Sequence, residues 1–174
     1  TLLATCRVGT TKDSDDETVE ARRSSDGGRS WGASVIPFSC VAGGRRGSLK
    51  VVYVTPLEGD RLIAAALWVD REAYPGRPLF NGDTEGCLPM AVLVADSEDL
   101  GNTWSPWRAV SVPEDVGPPS LTSPVLRLRG GRLAISIETV KEEVDIQLAL
   151  QYDAGYIENT LTFVYGLVFG TPAQ

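Results

Sequence analysis

The stretch Ser24-Ser25-Asp26-Gly27-Gly28-Arg29-Ser30-Trp31 (SSDGGRSW) recurs 73 residues later as Ser97-Glu98-Asp99-Leu100-Gly101-Asn102-Thr103-Trp104 (SEDLGNTW). Both obey Ser-x-Asp-x-Gly-x-(Ser/Thr)-Trp, and Tyr152-Asp153-Ala154-Gly155 keeps only the Asp-x-Gly of it. The residue types suit a hairpin corner. Ser and Asp side chains can bond nearby backbone N–H groups, and glycine can take a positive φ. The tryptophan has the bulk to pack between neighbouring sheets. A structural role for Ser24, Asp26, Gly28, Ser30, Trp31, Ser97, Asp99, Gly101, Thr103 and Trp104 therefore requires no catalysis.

The same grammar surrounds each copy. Apolar runs precede the octets or their remnant, as in 90–95 (MAVLVA) and 144–150 (VDIQLAL), and others follow, as in 34–38 and 107–112. Upstream lie two hairpins, 49–55 (LKVVYVT) with 62–69 and 125–128 with 133–137, turning at Leu57-Glu58-Gly59-Asp60 and Arg129-Gly130-Gly131-Arg132. The unit is strand A, turn, strand B, loop, strand C, octet, strand D. Repeated antiparallel meanders of four strands are the blades of a β-propeller, an all-β fold. The blades read as 1–40 (lacking strand A), 48–112 and 120–174, with 160–170 as a buried strand D. About two and a half blades cannot close a ring, so the rest is expected from the same protein or a partner chain.

Composition narrows the chemistry. The 174 residues carry a formal net charge of −7 with scattered basic residues, unlike the basic face of a nucleic-acid binder. The longest apolar runs, such as 62–69, are too short to span a bilayer as helices. There is no histidine, which excludes Ser-His-Asp and Cys-His nucleophiles within this chain. Cys6, Cys40 and Cys87 form no metal-ligand pair, so neither a metal nor a cofactor is expected.

Topology places the octets and the A–B turns at one end of each blade. The B–C loops 7–18, 70–88 and 138–143 lie at the other, and they open on Arg7, on Asp70-Arg71 and on Glu138. Charge gathered at one mouth is what a polar ligand requires, although strands also end in solvated charges as a matter of course.

The octets and their spacing resemble the Asp-box (BNR) repeat of sialidases and sialidase-like six-bladed propellers, through nearly the whole chain. The segment Thr1-Leu2-Leu3-Ala4-Thr5-Cys6-Arg7, the loop 10–16, Arg22-Arg23 and the first octet look like the first blade of that family. The resemblance implies that Asp26 and Asp99 face away from the substrate. It implies that Asp13, with Asp15 as fallback, is the catalytic acid/base, and that Arg7 lines a sialic-acid pocket. A loop carboxylic acid can protonate a leaving glycosidic oxygen and then deprotonate water. An arginine offers a planar fork to a substrate carboxylate. Asp70, Arg71 and Glu138 are further candidates for substrate binding. The 70–88 loop, with Tyr74, Pro75, Pro78, Leu79, Phe80, Glu85, Pro89 and Met90 in or beside it, could touch the substrate's acyl group or simply cover the blade.

Thr122 stands where some family blades carry a catalytic Glu, and the expected Tyr nucleophile is not within this sequence. The resemblance thus implies a glycoside hydrolase of exo-α-sialidase type acting on a glycan, inactive as this chain alone. The alternative is a non-catalytic Asp-box propeller that binds glycan or protein. A secreted or periplasmic location is what the resemblance favours.

Overall fold

The computed structural model describes residues 1–83, 86–112, 119–139 and 164–169. Its strands are β1 (Leu2–Val8), β2 (Thr18–Ser24), β3 (Val41–Ala42), β4 (Arg45–Pro56), β5 (Leu62–Asp70), β6 (Met90–Ser97), β7 (Arg108–Ala109), β8 (Pro119–Leu121), β9 (Leu126–Arg127), β10 (Leu133–Thr139) and β11 (Val164–Phe169). All pairings are antiparallel, and among the described residues there is no α-helix. The chain is an all-β partial propeller. β1 and β2 pair alone, β3-β4-β5-β6-β7 form the central sheet, and β11-β10-β8 with β9 form the third.

β5 explains why the central sheet reads as an unbroken apolar run. Ile63, Ala65 and Leu67 pack into a core with Leu121, Val125, Ile135 and Ile137 of the third sheet. The intervening Ala64, Ala66 and Trp68 pack into a second core with Val19 and Phe38 of the first. A strand covered on both faces loses polar alternation. Three consecutive alanines at 0% exposure let the neighbouring sheets approach closely.

Gly47 allows an equally tight approach. A Cβ there would lie 2.2 Å from Trp68 Cε2 and 2.2 Å from the Val69 carbonyl oxygen, neither of which is a flexible end. Trp68 is held by an Nε1 hydrogen bond of 3.0 Å to the Cys40 carbonyl. Gly47→Ala is expected to cost about 3 kcal/mol in chemical denaturation, the upper end for overpacking. A loss under about 0.5 kcal/mol, the range of neutral surface changes, would contradict this packing.

The two octets are wired alike. Asp26 Oδ1 accepts from Ser24 Oγ (2.8 Å) and Ser30 N (2.9 Å), and Oδ2 accepts from Ser30 Oγ (2.6 Å). Asp99 repeats this with Ser97 Oγ (2.8 Å), Thr103 N (2.9 Å) and Thr103 Oγ1 (2.7 Å). Gly28 and Gly101 bear positive φ of 90° and 78° and donate to Ser24 Oγ and Ser97 Oγ. Trp104 lies 5.1 Å from Phe38 between centroids, joining central and first sheets, whereas Trp31 is exposed.

These bonds hold the ionised carboxylate. The Thr103 N–H, the Thr103 hydroxyl and the Ser97 hydroxyl, in that order, lower Asp99 from 3.8 to about 2. Asp26 is lowered too, first by the Ser30 hydroxyl. A depressed carboxyl contributes stability that is present above its unfolded value and lost as pH falls through the folded one. An NMR titration of Asp99 is therefore expected to turn near pH 2, and Thr103→Val to move it up towards 3.8. A wild-type midpoint at or above 3.8 would refute the wiring.

The third blade departs from the sequence reading. Expected strand A, 125–128, shortens to β9, and β8 adds a second short pairing with β10 on the other side of Pro124, which has no N–H for a ladder. β11 pairs directly with β10, so 164–169 occupies the strand C place rather than D. Residues 144–150 and 152–155, read as strand C and the degenerate octet, lie outside the described residues, as does Glu85.

Candidate functional site

The octet end and the mouth are separated by the length of β5, nine residues or roughly 30 Å at about 3.3 Å each. Leu100 N bonds the Asp60 carbonyl, which places octet and A–B turn at one end. Arg71 follows β5 at the other end, beside the 9–17 loop.

That loop is self-tied. Ser14 N and Ser14 Oγ donate to the Thr11 carbonyl, and Asp16 accepts from Thr10 N, Thr10 Oγ1 and Ser14 Oγ. The hydroxyls of Ser14 and Thr10 lower the Asp16 carboxyl to about 2. Asp16 is thus a loop knot and Asp15 is exposed. Asp13 adopts a φ of 67°, a left-handed conformation that aspartate enters more readily than most residues.

The Asp13 carboxylate sits among cations. Its Oδ1 is 3.4 Å from Arg7 Nη1 and 3.4 Å from Lys50 Nζ. Beneath it Glu17, 2% exposed, forms an ion pair with Lys50, 4% exposed at its side chain. Glu17 also takes the Asp13 backbone N–H at 2.7 Å on Oε1 and stands 3.4 Å from Arg7 Nε. Burial pushes the Lys50 ammonium down to about 8, Asp13 pulls it up, and Arg71 adds to the drop.

Lys50 owes its place to a β-bulge. Leu49 pairs with Trp68 and Val51 with Leu67, so Lys50 is the extra residue of β4. A bulge breaks alternation and re-aims a side chain. Glu17 and Lys50 are the residues that the sequence reading missed. Their visible signal is a lysine inside the apolar run LKVVYV and an acid directly before β2.

Arg71 and Asp70 diverge from the expected ligand role. Arg71 is 7% exposed, and Nε donates to Ser48 Oγ (2.9 Å) and Nη1 to the Arg77 carbonyl (2.8 Å). Its Nη2 reaches the carbonyls of Asp13 (3.1 Å) and Ser14 (3.5 Å). A guanidinium bound this way is turned into the protein and holds backbone. Asp70 Oδ1 caps the N–H groups of Glu72 and Ala73, and Oδ2 pairs with Arg45 Nε at 2.5 Å. Asp70 is tied to its own turn and to Arg45, and Arg71 to its own loop, to β4 and to the 9–17 loop.

Glu138 ends up half-buried on β10, the second strand of its blade, and among the described residues no hydrogen bond or ion pair joins it to Arg7 or Asp13. Thr122 is exposed beside β8. In the 70–88 loop, Phe80 bridges Cys87 and is 48% exposed, while Leu88 is buried. Burial and the nearby Asp13 charge raise the Cys87 thiol. Among the described residues no three His, Cys, Asp or Glu are grouped to hold a metal ion. No helix of the described residues is long and apolar enough to cross a membrane.

No protein-family profile matches the chain, and no curated protein does. Among solved structures, the chain is similar to the Hadza microbial sialidase Hz136, with a TM-score of 0.55 at 17% sequence identity. The match covers 78% of this chain and 29% of that one, so the chain spans under a third of that protein's length. At this identity the likeness is one of fold: a sialidase-like, all-β propeller architecture.

Proposed function

We propose that this chain supplies one side of the active site of a sialidase-like glycoside hydrolase, cleaving terminal α-sialosides. The observation that carries the reading is the Arg7–Asp13 contact of 3.4 Å at the mouth end of the first blade, above a buried Glu17–Lys50 pair. Asp13 is the acid/base: its carboxyl group gives a proton to the departing glycosidic oxygen and takes one from water. Arg7, 36% exposed at its side chain, keeps part of its guanidinium open to the anionic group of a sugar acid. The octets, Asp-boxes in this reading, are corners at the far end. The nucleophile and the remaining cations come from other blades.

The test is hydrolysis of aryl and alkyl α-sialosides by the full protein, with Asp13→Asn beside it. Turnover that depends on Asp13 supports the reading. Turnover indifferent to Asp13→Asn removes Asp13 from it, and binding of sialosides without any turnover favours the second reading. That second reading is a glycan- or protein-binding propeller, favoured by the exposed Thr122 at the place of a supporting carboxylate.

A further inference from the structure

An acid in a loop is of little use unless its carboxylate is held still, and two of the three side chains that hold Asp13, Lys50 and Arg71, lie outside the 9–17 loop. Asp13 sits at φ 67°, a conformation that persists in a non-glycine residue when its surroundings over-determine it. Glu17 Oε1 fixes its backbone N–H at 2.7 Å. Arg71 Nη2 fixes its carbonyl at 3.1 Å and the next carbonyl at 3.5 Å. Lys50 Nζ stands 3.4 Å from its carboxylate oxygen. Each side of this one residue is met by a side chain that is itself at most 7% exposed.

The three come from separate places. Glu17 precedes β2, Lys50 is the bulge of β4, and Arg71 follows β5. They are linked to one another and to the loops around them. Glu17 pairs with Lys50, Arg71 reaches Ser48 two residues before Lys50, and Arg71 also holds the Arg77 carbonyl of the 70–88 loop. A backbone bond from Leu49 N to the Glu17 carbonyl at 3.2 Å staples the same two sheets. A bulge that spends a buried lysine at this point has no packing purpose that an apolar residue would not serve better.

We propose that Glu17, Lys50 and Arg71 are a positioning set for Asp13, fixing its backbone and its carboxylate from the junction of the first two sheets. The inference rests on the reading of Asp13 as the acid/base. It adds that the group is placed in part by the second blade, through Lys50 and Arg71, so the first blade with its Glu17 cannot hold it in geometry alone. Catalytic groups must be held within a fraction of an ångström of their productive position, and such supports are set by packing and hydrogen bonds behind them.

The test uses the full protein with Glu17→Gln and Lys50→Met combined, a neutral pair of similar volume that leaves no buried charge unpaired. Two readings are taken: hydrogen exchange of the 11–17 segment by mass spectrometry, and kcat and KM on an alkyl sialoside. The expected result is exchange faster by about tenfold or more and kcat lower by about 10- to 100-fold, with KM within about twofold. A folded double variant with wild-type kcat overturns the proposal, whether or not its exchange changes. Should the pair prevent folding, Arg71→Lys decides by the same readings, since lysine keeps the charge but cannot span the same carbonyls. A wild-type protein without turnover but with an exchange response to the variants would remove the sialidase reading and leave Asp13 held as described.

Discussion

Lys50→Met is expected to destabilise the protein by about 3–5 kcal/mol, the cost of removing one partner of a buried ion pair. The side chains of Lys50 and Glu17 are 4% and 2% exposed, so neither is rehydrated when the other is lost. The variant leaves the Glu17 carboxylate with the Asp13 N–H at 2.7 Å and Arg7 at 3.4 Å, a partial compensation that favours the lower end of the range. Glu17→Gln with Lys50→Met should recover most of the loss, because a neutral pair has no charge to desolvate.

The pH dependence has a definite sign. Folded Lys50 titrates at about 8, below its ordinary 10.5, so between these values the unfolded chain holds the proton more tightly. Its contribution to stability therefore rises with pH from about 8 to 10.5, and the burial cost of the ammonium is felt in full below that window. Denaturant midpoints for wild type and Lys50→Met, compared across this window, should diverge as pH rises. A single replacement that costs less than about 1 kcal/mol would show that the pair is solvated, as exposed pairs are.

What sequence could disclose here was local. Both octets are complete within eight residues, and the hydrogen bonds of their Ser and Asp side chains stay within them, from Ser24 to Ser30 and from Ser97 to Thr103. The A–B turns are likewise local: Gly59 at φ 63° sits between strands paired from Pro56↔Leu62 onwards. Even the apolar run of β5 announces a strand covered on both faces.

The site was legible only in part, because its parts meet through tertiary structure. Arg7 lies near the end of β1 and Asp13 in the loop that follows it, and counting back from Asp26 reaches both. Lys50 is 33 residues from Glu17, and it faces that residue only because a bulge shifts the register between Leu49 and Val51. Nothing in a strand's period announces a bulge. Asp70 and Arg71 show the converse. Two adjacent charges at a strand end look alike in sequence, yet one caps its own turn and the other is sunk beneath the neighbouring loop.

Asp13→Asn is expected to lower kcat of the full protein by about 10²- to 10⁴-fold, the usual worth of a positioned acid/base. Asparagine keeps the size of the side chain and can still meet Arg7, so binding should change little and the loss should fall on the chemical step. Its magnitude should depend on the leaving group. An alkyl sialoside departs as a basic alkoxide unless it is protonated, and on it the loss should approach the upper figure. An aryl sialoside departs as a stabilised phenoxide and needs less help, so its loss should be smaller. This gradient separates an acid from a residue that merely shapes the pocket, which would depress both substrates alike. Asp16→Asn and Asp26→Asn carry the same chemical change into the loop knot and the distant corner. Both should leave the ratio of the two substrates at its wild-type value, even where stability falls. A flat response of Asp13→Asn across leaving groups, or a gradient shared by Asp16→Asn, would take the acid/base role from Asp13.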